Sequence, residues 1–112
     1  MQPRVMGIGP VPAVNRLPER AGGQLMEVGT TELNEAFASQ SLAVLSAFGL
    51  DDDAAHDNPH GGAIALGHRP GMSGARLALT AAQTLAEEGL GYAIATLCVG
   101  VGQGVAVLLG CP

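Results

Sequence analysis

The chain has 112 residues, which fits one domain, and apolar residues make up 47% against 3% aromatics, so its core must be built from Ala, Val, Leu and Ile with close backbone approach at its glycines. Ten acidic side chains face five arginines and no lysine, and without a basic stripe to displace counterions from phosphates the chain is expected to have no nucleic-acid partner. Cys98 and Cys111 are too few for a disulfide framework, no apolar run reaches ~20 residues, and no signal peptide is expected. Free thiols suit a reducing cytosol, so the expectation is a cytoplasmic protein with no membrane partner.

Residues 1–11, rich in Gly and Pro, read as irregular. Pro12 suits the first turn of a helix to about Ala21, stopped by Gly22-Gly23, and Pro18 should kink or end it early. Gln24 to Leu33 reads as a strand that Gly29 weakens. From Asn34 the pattern turns helical, with Phe37, Val44, Leu45 and Phe48 at three- and four-residue steps and Gly49 as terminator. Asp51 to Pro59 reads as a solvated acidic loop, and residues 60–72 as a Gly-rich stretch with a short apolar centre. A helix rich in Ala and Leu should run from Ser73 to Glu88, end at Gly89 and be buried on most sides. Tyr92–Val99 and Gln103–Leu109, joined by Gly100-Val101-Gly102, predict a terminal antiparallel hairpin. This order gives an α/β fold, a mixed sheet packed with helices.

Three polar residues sit in small-residue surroundings. His68 ends the run His60-Gly61-Gly62-Ala63-Ile64-Ala65-Leu66-Gly67-His68, and an imidazole there can take a proton from a thiol. By itself it also fits a structural hydrogen bond at a loop end. Cys98 lies late in an apolar strand, where a thiol can act as acid and base or serve as a small core residue, and the Gly100 N–H beyond it can donate to a developing oxyanion. Asn34 can hold a water against a carbonyl oxygen, or cap the helix that Glu35 then opens. His56 and His60 near four aspartates suggest a metal site only weakly, and no paired-cysteine spacing supports zinc, so no metal is expected. No lysine follows Gly67 to Gly74, so the stretch is not a phosphate-binding P-loop.

Taken together, Met6-Gly7-Ile8-Gly9-Pro10-Val11-Pro12-Ala13, Asn34-Glu35-Ala36-Phe37-Ala38, the Gly61-to-His68 run and Cys98-Val99-Gly100 resemble, in order and spacing, the C-terminal domain of a thiolase, an acyl-CoA C-acetyltransferase. The resemblance covers residues 1–112, with the domain's first strand and the family's N-terminal and loop domains missing from the match. It implies that His68 activates a cysteine of the N-terminal half and that Cys98 moves the α-proton of acetyl-CoA. Asn34 would hold a water which, with His68, stabilises the thioester enolate oxygen, and the Gly100 N–H would belong to a second oxyanion hole. The implied substrates are coenzyme A thioesters in 3-ketoacyl-CoA cleavage or Claisen condensation, with no other cofactor and no assigned cofactor-binding residue. The implied partners are an acyl-CoA and either a thiolase N-terminal half or further copies in a homo-oligomer. With no third cysteine to accept the acyl group, the chain is expected to be inactive alone; the alternative is a non-catalytic interaction module. After His68 the family carries Pro-x-Gly-Ala-Ser-Gly where this chain has Arg69-Pro70-Gly71-Met72-Ser73-Gly74, and Val101 replaces a usual glycine.

Overall fold

A computed structural model describes residues 3–17, 28–69, 71–89, 91–100 and 102–110. The N-terminal segment is more regular than its composition suggests. Pro3–Ile8 form 3-10 turns broken at Val5, and helix α1 spans Pro10–Asn15, starting at Pro10 rather than Pro12. Proline is preorganised for a first helical turn, where its missing N–H would go unpaired in any case. Pro18, Gly22-Gly23 and the first part of the expected strand lie outside the described residues.

Strand β1 spans Val28–Leu33, β2 Tyr92–Val99 and β3 Gln103–Gly110, in spatial order β1-β2-β3. β1 pairs parallel to β2, and β2 pairs antiparallel to β3 in the expected hairpin, with Cys98 opposite Gly104. The register slips between Val28 and Thr30, so Gly29 marks a bulge rather than ending the strand.

Helix α2 covers Ala38–Ala47, the short α3 Ala63–Leu66 and α4 Ser73–Glu88. Leu33, Val44 and Leu45 form one core cluster with Val11 and Phe48 packed on it; Ala81, Leu85 and Ala93 form a second with Leu109. The sheet is thus covered by α1 and α2 on one face and α4 on the other. β2 is buried from Ala93 to Thr96, as a central strand with both faces covered must be.

Two expectations about helices need correction. Gly89 in the left-handed conformation ends α4 as foreseen. However, α4 is amphipathic: Ser73, Leu77, Ala81, Thr84 and Leu85 make one buried stripe, while Leu79 on the opposite side is 68% exposed. Alanine and leucine on both faces conceal this polarity from a composition-based reading. The second correction is that α2 begins at Ala38, not at Asn34, and Phe37 is 69% exposed outside it. The Phe37 N–H donates to Gln40 Oε1 (3.4 Å), half of a capping box.

Candidate active site

Parallel strands bring their carboxyl ends to one edge, and open α/β sheets gather ligands there. Leu33 is in register with Thr96, and the Asn34 N–H continues the ladder to the Thr96 carbonyl (2.9 Å). Asn34 therefore leaves β1 where Cys98 and Gly100 end β2. Asn34 is no helix cap, because α2 starts four residues later; its side chain is buried, with no hydrogen-bond partner for Oδ1 among the described residues. An orphaned buried acceptor costs roughly 1–3 kcal/mol, which a bound donor such as water recovers. Cys98 is half-buried with a free thiol, and Gly100 is exposed with open space at its Cα.

The strand end is crossed by backbone on backbone. A Cβ on Gly104, opposite Cys98, would meet the Gly9 carbonyl, and one on Gly9 would meet the Gln103 carbonyl. The Met6-to-Pro10 motif is thereby pressed against the hairpin with no room for side chains.

Glu35 does not open α2, as its position after Asn34 suggests. Its Oε1 accepts from the Ile64 N–H (3.1 Å), satisfying a free donor in the first turn of α3. Gly62 packs so close that a Cβ there would strike the Glu35 carboxylate. The residue after Asn34 thus fastens the short helix that leads through Gly67, at φ +97°, to His68.

His68 is exposed, and its Nδ1 lies 2.6 Å from Ser73 Oγ. The same hydroxyl donates its single proton to the Arg69 carbonyl (3.1 Å). Having no second proton, Oγ accepts from Nδ1–H, which leaves the lone pair on Nε2. A base with its free nitrogen fixed by a partner on the other is the arrangement proton abstraction from a thiol needs. Ser73 as His68's partner escaped the sequence reading, although the signal existed: a hydroxyl five residues on, at the start of a predicted helix. Met72, the departure at this helix start, is the N-cap and about half exposed, so its bulk points away from the contact. Pro70 and Val101 lie outside the described residues.

The acidic loop is not simply solvated. The Thr31 N–H donates to the His56 carbonyl and the Asn58 N–H to the Thr31 carbonyl, both at 2.8 Å, so the loop meets β1 in a single parallel bridge at Thr31 and Asp57. Asn58 Oδ1 then accepts from the Leu33 N–H (2.8 Å) and Nδ2 donates to the Leu33 carbonyl (2.9 Å), imitating a strand residue with an amide side chain. Burial pushes the Asp57 carboxyl up to about 7, helped by the nearby charge of Glu35. A cavity of about 530 Å³ lies beside this loop, between Glu35, Ser41, Leu45, Asp57 and Ala65. Among the described residues, no three His, Cys, Asp or Glu side chains converge as a metal ion requires.

One carboxylate is buried inside the sheet. Glu32 on β1 is fully buried and pairs with Arg76 Nη1 from α4 at 3.4 Å. Burial pushes its carboxyl up to about 7 against the pull of Arg76, and Asp57 and Glu35 push the same way.

Comparison with known proteins bears on the whole chain. Residues 1–110 match the family model described as thiolase, C-terminal domain. The chain is 58% identical over 109 residues to the 3-oxoadipyl-CoA/3-oxo-5,6-dehydrosuberyl-CoA thiolase of Escherichia coli strain K12, covering 97% of this chain and 27% of that protein. It is 61% identical over 107 residues to the beta-ketoadipyl-CoA thiolase of Pseudomonas putida, covering 96% and 27%. Among solved structures, human mitochondrial 3-ketoacyl-CoA thiolase superposes with a TM-score of 0.93 at 43% identity, over 99% of this chain and 28% of that one. The Bacillus anthracis acetyl-CoA acetyltransferase superposes at 0.91 and 41% identity, over 96% and 27%. The chain therefore spans about a quarter of the length of the relatives it matches.

Proposed function

The chain belongs to the thiolase family as its C-terminal domain, and from that premise we propose that it supplies half of an acyl-CoA C-acetyltransferase site. In this reading His68, Cys98, Asn34 and the Gly100 N–H act on coenzyme A thioesters, and the acyl-accepting cysteine comes from an N-terminal thiolase half. The carrying observation is the 2.6 Å contact between His68 Nδ1 and Ser73 Oγ, a hydroxyl that also reaches the Arg69 carbonyl; this supports the tautomer with Nε2 as the free base.

The steps follow from what each group can donate or accept. His68 Nε2 takes the proton of the acyl-accepting thiol, and its sulfur attacks C3 of a 3-ketoacyl-CoA. The C2–C3 bond breaks, its electron pair going to C2 as the enolate of acetyl-CoA, and Cys98 delivers its S–H proton to C2. A second coenzyme A thiol then gives its proton to the Cys98 thiolate and displaces the enzyme sulfur from the acyl group, and that sulfur takes back the proton held on His68. Read backwards, the same steps form a carbon–carbon bond. A water on Asn34, together with His68, faces the enolate oxygen, and the Gly100 N–H faces the oxyanion formed at the acyl carbon. The relatives named beta-ketoadipyl-CoA thiolases make that dicarboxylic thioester the first substrate to test. The working form is expected to be cytoplasmic and oligomeric.

The test mixes this chain with a separately expressed N-terminal thiolase half and follows thiolysis of acetoacetyl-CoA and beta-ketoadipyl-CoA. Activity is expected only from the mixture, and His68→Ala should lower it about 10²–10⁴-fold, the range for losing a general base. Turnover by the chain alone would refute its dependence on a partner half. An inert mixture would favour the non-catalytic interaction module.

A further inference from the structure

We propose that the buried Glu32–Arg76 pair is a positioning device that sets the imidazole of His68 in register with the amide of Asn34. The inference deepens the reading of His68 as the site's base and rests on it.

Glu32 and Leu33 are neighbours on β1, so they face opposite sides of the sheet. Leu33 enters the cluster on α2, and Glu32 reaches Arg76 on α4 at 3.4 Å. Two residues after Glu32 the chain reaches Asn34. Three residues before Arg76, one helical turn away, stands Ser73, whose hydroxyl receives His68 Nδ1–H. The pair, whose members lie 44 residues apart in sequence, therefore links the strand that leads into Asn34 to the first turn of α4, where Ser73 contacts His68, and it is the one ion pair among the described residues.

Packing alone does not account for this pair. Removing two charges from water costs several kcal/mol per ion, and apolar substitutes of equal volume often stabilise a fold more. Nor is the pair geometrically saturated: Glu32 Oε2 and Arg76 Nη2 are both buried without partners, so a bidentate grip is not made. What a charged link provides and an apolar contact does not is direction. A leucine-type contact tolerates a sliding helix, whereas a carboxylate buried in the sheet holds the one cation that faces it, which fixes where the first turn of α4 stands along β1.

The test reads the imidazole itself. Ring-nitrogen NMR of His68 in the 112-residue chain, at a pH above about 8 where the ring is neutral and the Glu32 carboxyl, raised to about 7, is ionised, reports the ratio of Nδ1–H to Nε2–H forms. Ser73→Ala should invert the preference and calibrates the measurement. Arg76→Met and Glu32→Gln, each verified as folded by amide spectra, should lower the ratio about fivefold, the size of one net hydrogen bond. Arg76→Lys keeps the charge and should retain most of the wild-type ratio. If Arg76→Met fails to fold, the isosteric Glu32→Gln decides. A wild-type ratio in either folded variant overturns the proposal, and so does an Arg76→Lys ratio as low as that of Arg76→Met. The measurement needs neither substrate nor N-terminal half, so an inert thiolysis mixture leaves it standing, and an unchanged ratio refutes the device whatever the assay gives.

Discussion

Single residues carry the chemistry here through partners that fix their protons. Ser73 decides which nitrogen of His68 is free, and Asn34 offers an oxygen that nothing among the described residues occupies. Protons also govern stability. Glu32 and Asp57 hold their protons up to about pH 7 in the folded chain, whereas unfolded they release them near their ordinary values of 4.5 and 3.8. The folded state binds more protons between these limits, so its stabilisation is complete below about pH 4 and is lost as the pH climbs toward 7. For these two groups, then, the urea midpoint should fall between about pH 5 and pH 8, and Glu32→Gln should flatten that slope. A midpoint rising over the same interval, in wild type and variant alike, would contradict the assignment.

At the level of elements, the loop after α2 is built into the sheet by Asn58. Its backbone φ of +44° suits asparagine or glycine, and its side chain satisfies both polar groups of Leu33. Asn58→Gly keeps the backbone and removes the amide, so it should cost about 1–3 kcal/mol and expose the Leu33 amide to hydrogen exchange. Amides of α4 near Leu85 should remain protected until global unfolding; their equal loss would show that the loop has no separate role. This joint also marks where sequence reading stops. The hairpin, the α4 limits and the parallel partner strand are legible because apolar runs and glycine terminators are local signals. Asn34 and Glu35 both suit a helix start, so in the sequence the cap competes with the water-holding role of Asn34, and only the fold shows Glu35 capping α3 and Asn34 joining the ladder of β2. The loop's bridge to β1 at His56–Asn58 has no pattern of its own, since its hydrogen bonds are made to residues more than twenty positions away.

Across the whole molecule, large apolar side chains remain uncovered on both sides of the sheet: Val105 and Val107 on β3, Leu79 on α4, Ile64 and Leu66 on α3. Such a surface on a small acidic domain favours association. The isolated chain should sediment as an oligomer at high concentration, and Val107→Lys on β3 should shift it toward monomer without lowering its unfolding free energy by more than about 0.5 kcal/mol. A concentration-independent monomer would mean that these side chains need no cover. The cross-contact at Gly9 and Gly104 predicts a further global effect: Gly104→Ala drives a methyl into a carbonyl and should destabilise the chain by about 1–3 kcal/mol, seen in the same denaturant titration.

The amide of Asn58 also bears on how the protein ages. Asparagine side chains lose ammonia spontaneously when the next peptide nitrogen attacks them and closes a cyclic imide, and that attack needs a nitrogen bearing hydrogen. The next residue is Pro59, whose nitrogen has none. The joint that fastens the loop to β1 is thereby shielded from this chemical wear, and a long-stored sample should show intact Asn58 by peptide mass analysis.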